Sequence, residues 1–215
     1  MDANVRKIMD IKLNKVKKNA EKNNMEARIF ECKEDVLTFL DESIADGSRV
    51  SFGGSETIKQ IGALDMLRNK DIELFDRYAP GLSREEIENV YKQAFTCDYY
   101  LMSSNAVTEN GELFNIDGNG NRLAALIYGP DKVYVIVGEN KIVSNVEAAI
   151  DRLRNVATPM NGVRLEKETP CAITGNCNDC ASSGRMCSHY VLTRQQNPKN
   201  KDRICLLLVK EDLGF

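Results

Sequence analysis

The side chains best suited to hold a ligand lie in one polar stretch between two apolar, strand-like runs at residues 99–102 and 133–137. The stretch is rich in asparagine, aspartate and glycine, which combine hydrogen-bonding groups with backbone that tolerates positive φ. Its arginine stands in the first turn of a helical pattern, where a cation opposes the helix dipole unless an anion lies nearby. We predict an anion pocket in which that arginine binds the anion. The alternative is a polar loop whose asparagine and aspartate side chains hydrogen-bond their own backbone. The candidate residues are Asn105, Asn115, Asp117, Gly118, Asn121 and Arg122.

A glycine turn is a second candidate site. Gly53, Gly54 and Ser55 follow the strand-like run 49–52 and precede a helical pattern. Glycines at such a junction let backbone amides approach an anion closely, and Ser55 can donate to the anion as well as cap the helix. The alternative is a tight turn in which Ser55 is only a cap. The turn is neither a Walker loop nor a dinucleotide fingerprint, because it lacks the residue spacing of both.

Four of the seven cysteines form a third candidate site. Cys171, Cys177, Cys180 and Cys187 lie within seventeen residues, and four thiolates are what a tetrahedral zinc ion or an iron–sulfur cluster takes. With a single Cys-x2-Cys pair, the spacing leaves zinc and iron–sulfur open, together with structural thiols or disulfides. His189 is an alternative ligand, or an ordinary packed or surface histidine. No organic cofactor is indicated.

Strand-like and helical patterns alternate along the chain around these residues. Alternation predicts an α/β fold with a mostly parallel sheet, in which ligands lie at the carboxyl ends of strands. Asn110-Gly111 also predicts a hairpin over residues 108–114. Other strands are predicted at 27–30, 49–52, 72–75, 97–102, 133–137 and 204–209, the last as an extra strand, and helices at 2–24, 33–45, 56–67, 84–95, 123–127 and 142–156.

The composition changes near residue 160 and again near residue 200. We therefore predict an α/β domain over 1–160, a cysteine-rich loop appendage over 161–200 and a strand returning to the domain within 201–215.

The net charge of −3 argues against a nucleic-acid partner, and the basic run 12–18 is interpreted as a solvated helix face. No apolar run approaches the roughly 20 residues of a membrane span, and no secretory segment is recognised, so a cytoplasmic location is expected.

The run NAVTENGELFNIDGNGNRLAALIYGPDKVYVIVGENKIV, together with Gly53-Gly54-Ser55 and the segment TPCAITGNCNDC, resembles the LUD domain family of lactate-utilisation proteins. It is most similar to the short, single-domain branch of that family. The resemblance implies a three-layer α/β/α sandwich similar to the ribose-phosphate isomerase, glucosamine-phosphate deaminase and CoA-transferase group. It also implies a link to oxidation of lactate or a related organic acid, alongside iron–sulfur protein partners.

A more distant similarity concerns the sugar-phosphate isomerase reaction. Residues 105–115 resemble a segment of methylthioribose-phosphate isomerases, in which an aspartate precedes the Asn-Gly turn and a lysine follows it. Here Asn105 stands at the aspartate position and Ile116 at the lysine position. An amide cannot serve as the general acid, which argues against that reaction. The nearest candidate for the nucleophilic carboxylate of a CoA transferase is Glu109.

The leading hypothesis is a LUD-type protein of organic-acid or redox metabolism that binds a small anion and carries a four-cysteine metal or iron–sulfur site. Two alternatives stay open: a sugar-phosphate or acyl-CoA enzyme, and a non-catalytic subunit with a structural zinc site. The sequence decides neither whether the protein is an enzyme nor its substrate or oligomeric state.

Overall fold

The computed structural model describes residues 2–215 and is built on a central sheet of six parallel strands. Because all six strands run the same way, their carboxyl ends meet at one edge of the sheet. The described residues form β1 (Glu26–Phe30), β2 (Arg49–Phe52), β3 (Glu73–Phe75), β4 (Tyr99–Ser103), β5 (Ala106–Thr108), β6 (Leu113–Asp117), β7 (Lys132–Gly138), β8 (Ile142–Val143), β9 (His189–Thr193) and β10 (Ile204–Val209).

Helices cover both faces of the central sheet, which confirms the predicted α/β architecture. One face packs Met102, Val135 and Leu206 against the first helix, and the other packs Leu101, Ile136 and Leu207 against the next three. The helices are α1 (Ala3–Lys22), α2 (Lys33–Ser43), α3 (Glu56–Gln60), α4 (Ala63–Asn69), α5 (Arg84–Gln93), α6 (Asn121–Ile127), α7 (Val146–Arg152), α8 (Thr158–Arg164) and α9 (Pro170–Thr174).

The last strand, β10, lies inside the sheet. The sequence predicts an extra strand at 204–209 but does not predict its position. The strand order is β1-β10-β7-β4-β2-β3, so β10 pairs with β1 on one side and with β7 on the other. All six residues of β10 are buried. The apolar run 204–209 therefore belongs to the middle of the core, as expected for a parallel strand that is covered on both faces.

A second sheet of four strands, in the order β8-β5-β6-β9, lies beside the first. Its β5–β6 hairpin pairs Val107 with Leu113, which confirms the hairpin predicted from Asn110-Gly111. Strand β9 pairs antiparallel with β6 and brings His189 opposite Asp117. The segment 161–200 is consequently more ordered than the predicted loop, because it contains α9 and β9 and joins the second sheet through β9.

Two predicted helices and one predicted loop have different boundaries in the structure. The helix expected over 56–67 is divided into α3 and α4 at Gly62, whose φ is +76°. The helix expected from residue 142 begins at Val146, because the Asn145 side chain caps it by accepting from the amide of Ala148 at 2.9 Å. Residues 115–117, expected in a loop, belong to β6.

The hairpin turn presses closely on α1, and this contact predicts a large effect of substituting Gly111. A Cβ at Gly111 would lie 2.4 Å from the Ala20 nitrogen, whereas one at Gly47 would meet nothing within 4 Å. Both glycines have positive φ, +76° and +74°, so Gly47→Ala is a matched control for backbone strain. We expect Gly111→Ala to lower the free energy of unfolding by about 2 kcal/mol more than Gly47→Ala. Equal losses in urea unfolding would show that the hairpin does not pack on α1.

Candidate functional site

A polar cleft of about 520 Å³ lies at the carboxyl edge of the central sheet. The ends of β2, β4 and β7 lead into one wall, which includes Gly54, Ser103 and Lys141. Part of the cleft lining comes from α8 and from residues 183–186 of the cysteine segment. This position, at strand carboxyl ends, is where open α/β sheets hold their ligands.

Arg122 lies in the cleft wall, but its terminal nitrogens are engaged by the protein. Nη1 donates to the Ser103 carbonyl at 3.0 Å and to Asn115 Oδ1 at 2.9 Å. Nη2 donates to Asn105 Oδ1 at 3.2 Å and to the Ile116 carbonyl at 2.6 Å. The guanidinium therefore joins the end of β4 to β6.

The remaining donor of Arg122 faces Asp117. Nε lies 3.8 Å from Asp117 Oδ2, a buried oxygen that has no hydrogen-bond partner among residues 2–215. Burial lowers the pKa of Arg122 from its usual value, and the Asp117 and Tyr100 side chains partly oppose that shift. With both terminal nitrogens bonded to protein acceptors, Arg122 holds together the strands that form this part of the cleft wall.

Lys141 is a second cation of the cleft wall, and sequence reasoning missed it. It ends a short 3-10 turn after β7, and the residue is only 4% exposed. Its Nζ donates to Thr57 Oγ1 at 2.7 Å and to Ser103 Oγ at 3.0 Å. No carboxylate of residues 2–215 pairs with it within 4.0 Å, although Lys141 lines the cleft. The sequence feature that could have identified Lys141 is its position just beyond the end of an apolar strand, β7.

The surroundings of Lys141 disfavour its charged form. Burial is the main cause, and the nearby cations Arg152 and Arg122 add to it, which lowers the pKa of Lys141 to about 7. The carboxylate next to it in sequence, Glu139, is held instead by Arg6, with Nη1 to Oε2 at 2.8 Å. A buried cation without a counter-ion is unfavourable, and a bound anion would supply one.

The segment after β10 encloses Lys141 from one side. Thr57 Oγ1 donates to the Leu213 carbonyl at 3.3 Å, and the Gly214 amide donates to Gln60 Oε1 at 2.7 Å. A Cβ at Gly214 would lie 2.5 Å from Thr57 Oγ1 and 3.1 Å from Lys141 Nζ. This close approach of glycine backbone explains much of the burial of the amine.

The cleft carries more positive than negative side chains, although the chain as a whole has a net charge of −3. Among residues 2–215, the acidic side chains that line it are those of Glu56 and Asp117. The concentration of cations in a concave, partly dehydrated site favours an anionic ligand. The lining cations are Arg77, Arg122, Lys141, Arg164, Lys167 and Arg185.

Most of the predicted ligand-binding residues gather at this cleft. Gly54, Ser55, Asn105, Asp117, Gly118, Asn121 and Arg122 line it. Two others lie directly behind Arg122. Asn115 is fully buried and bonds to it, and a Cβ at Gly53 would lie 2.8 Å from Arg122 Cδ.

Glu109 lies away from the cleft, on the hairpin beside α1. Its Oε2 accepts from Lys15 Nζ at 2.9 Å, and its Oε1 lies 3.7 Å from Lys12 Nζ. Part of the basic run of α1 thus faces this carboxylate. The position gives Glu109 no access to a ligand in the cleft and leaves the candidate nucleophile without support.

The four cysteines are close in sequence but are not gathered around one point. Among residues 2–215, the only group of three potential metal ligands with all donor atoms within 4.8 Å is Cys32, Glu34 and Glu211. Sulfurs around a tetrahedral zinc would lie about 3.8 Å apart. The thiols therefore do not form a ready metal site, and zinc or iron–sulfur at Cys171, Cys177, Cys180 and Cys187 stays a prediction.

The individual environments of these thiols differ. Cys187 is buried in an apolar cluster with Phe114 and Leu153, and Cys171 Sγ lies 3.4 Å from Thr169 Oγ1. Cys177 and Cys180 are half-buried. His189 is exposed, and its ring lies against Gly120. Metal analysis of protein purified without oxygen distinguishes zinc, iron–sulfur and free thiols.

The sequence comparison identifies the family. The model of the LUD domain matches residues 13–209, which include both sheets and the whole cleft edge of β2, β4 and β7. The chain belongs to the LUD domain family. This membership supports a lactate-utilisation-type protein. No curated protein matches the chain.

A solved structure supports the fold of this LUD protein, and two others are similar to parts of the chain. A DUF162 family protein from Deinococcus radiodurans has a TM-score of 0.52 and 13% identity, over 94% of this chain and 98% of that one. Ribose 5 phosphate isomerase A from Neisseria gonorrhoeae has a TM-score of 0.34 and 17% identity, over 53% and 54% of the two chains. The eIF2B beta subunit from Chaetomium thermophilum has a TM-score of 0.37 and 16% identity, over 56% and 43%.

Residues 2–215 contain no helix with the length and apolar character that a membrane crossing needs.

Proposed function

We propose that this LUD protein binds a small organic-acid anion in the cleft and acts in lactate-type organic-acid utilisation. Lys141 carries the charge that attracts the carboxylate. The observation that supports this most is a lysine only 4% exposed, at the cleft wall, without a carboxylate partner among residues 2–215. A purely structural lysine at this depth would be expected to have an acidic partner.

Polar groups around Lys141 would orient the ligand. The protonated amine has three donors, of which two bond Thr57 and Ser103, and the third is available for a carboxylate oxygen. Asn105 uses its Oδ1 to accept from Arg122 and from the Ile116 amide, so its amide donors are held in a fixed direction at the cleft wall. A hydroxyl or carbonyl beside the carboxylate is the ligand group that such donors recognise.

The pH dependence of binding follows from the state of Lys141. Since its pKa is lowered to about 7, the amine is charged at pH 6 and mostly neutral at pH 8. We expect lactate to bind about tenfold more weakly at pH 8 than at pH 6, measured by isothermal titration calorimetry. The cations Arg152 and Arg122 act on this titration. The other charged groups of the surroundings are Glu56 and Asp117 in the cleft lining and the Arg6–Glu139 pair at the turn that carries Lys141.

A matched variant separates this effect from general electrostatics. Lys59 is an exposed lysine on α3, the helix that carries Thr57, and it does not line the cleft. Lys59→Met should keep the affinity for lactate and the dependence on pH. Binding that is equally strong at pH 6 and pH 8 in the wild-type protein would remove Lys141 from the site.

A further inference from the structure

We propose that the Lys141 amine forms a reversible imine with a small 2-oxo acid bound in the cleft. The inference rests on the proposed function, because the cleft must first hold the carboxylate of the same ligand. It adds a covalent chemistry and a substrate class to a site described so far only as an anion pocket.

The geometry places a nucleophile where the carbonyl of such a ligand would lie. In a 2-oxo acid the carbonyl carbon is bonded directly to the carboxylate carbon. An amine that contacts the carboxylate is therefore within reach of the carbonyl carbon as well. Lys141 lines the cleft, and its Nζ is fixed by Thr57 Oγ1 at 2.7 Å and Ser103 Oγ at 3.0 Å.

The electrostatic setting suits a lysine nucleophile. A lysine becomes nucleophilic when desolvation or a neighbouring cation favours its neutral form. Both causes act on Lys141, through its burial and through Arg152 and Arg122, and they lower its pKa to about 7. A solvent-exposed lysine is, in general, almost entirely protonated at pH 7.

The reaction is a condensation and needs no oxidant or reductant. The bound carboxylate favours the charged amine, so Nζ first releases one proton to water. Its lone pair then attacks the carbonyl carbon while the π electrons move to the carbonyl oxygen. One proton passes from nitrogen to that oxygen, and the Ser103 and Thr57 hydroxyls that contact Nζ can relay it. A second proton from nitrogen completes a water molecule, and its loss leaves a C=N bond. In its protonated form this bond keeps a positive charge beside the carboxylate.

Reductive trapping tests the inference on the full chain. The protein is incubated at pH 7 with pyruvate and sodium cyanoborohydride, and the modified lysine is located by peptide mass spectrometry. We expect one reduced adduct, at Lys141, formed on the order of tenfold or more faster than at any other lysine. Excess lactate should suppress it, Lys59→Met should keep it, and acetone, a ketone without a carboxylate, should give none at Lys141.

Failure of the imine and failure of the anion site are distinguishable. Lactate that binds in calorimetry, together with no adduct at Lys141 or with slow labelling spread over surface lysines, overturns the imine and leaves the anion site standing. Absence of both lactate binding and adduct overturns both. A Lys141→Met variant that is still labelled at the same rate also overturns the proposal.

Discussion

Lys141→Met is expected to abolish lactate binding and at the same time to raise the thermal stability of the protein. Methionine removes the one buried amine that residues 2–215 contribute to the cleft, and it fills a similar volume with apolar atoms. The hydroxyls of Thr57 and Ser103 keep their own acceptors, the carbonyls of Leu213 and Ser104, each at 3.3 Å. We expect a gain of about 1–2 kcal/mol in the free energy of unfolding at pH 7.

The dependence of that gain on pH identifies its cause. Unfolded Lys141 has an ordinary pKa near 10.4, and in the folded protein it is lowered to about 7. Between these values the unfolded state binds more protons, so the stability contributed by this group rises with pH across that window. The advantage of Lys141→Met over the wild type should therefore be largest near pH 6 and should shrink by up to about 1 kcal/mol per pH unit above pH 7.

Differential scanning calorimetry of the two proteins from pH 6 to pH 9 measures this difference directly. Lys59→Met should follow the wild type at every pH, because its side chain is exposed in the folded state. A Lys141→Met variant that is less stable than the wild type at pH 6 would mean that the lysine serves the fold rather than a ligand.

Arg122→Ala is expected to lose about 3–5 kcal/mol of folding free energy, because truncation strands the groups that the guanidinium now joins. The Ser103 and Ile116 carbonyls and the Oδ1 atoms of Asn105 and Asn115 would each lose a donor. These contacts give Arg122 a structural role that supports the cleft, and the anion clamp inferred from sequence stays a prediction.

Arg164→Ala is the control for the arginine experiment. Arg164 also lines the cleft, but it is exposed, and its guanidinium donates to the Asn161 side chain three residues earlier. Its loss should change the unfolding free energy by no more than about 0.5 kcal/mol. If Arg122→Ala were as stable as the wild type in urea and lacked only anion binding, Arg122 would be a ligand clamp after all.

The sequence was sufficient for the local elements and for most of the cleft. The Asn-Gly dipeptide predicted the β5–β6 hairpin, and the alternation of apolar runs predicted the parallel sheet. The polar stretch ending at Arg122 was located because asparagine, aspartate and glycine are distinctive in composition. Local chemistry of this kind does not depend on which distant segments come together.

The sequence patterns did not predict which distant segments contact each other. The position of β10 between β1 and β7 is a matter of topology that the apolar run 204–209 does not encode. Lys141 is a lysine like any other in the sequence, and much of its burial comes from residues 213–214, which fold back over it. The sequence alone predicts that Arg122 binds an anion, because its acceptors on β4 and β6 are visible only in the structure.

The most direct test is the number of protons taken up when lactate binds, obtained by calorimetry in buffers of different ionisation enthalpy. If the anion binds the charged form of Lys141, binding at pH 8 should take up close to one proton and binding at pH 6 almost none. Lactate binding with no proton uptake at pH 8, in a protein whose fold is intact, would contradict the assignment of Lys141 as the anion-binding residue.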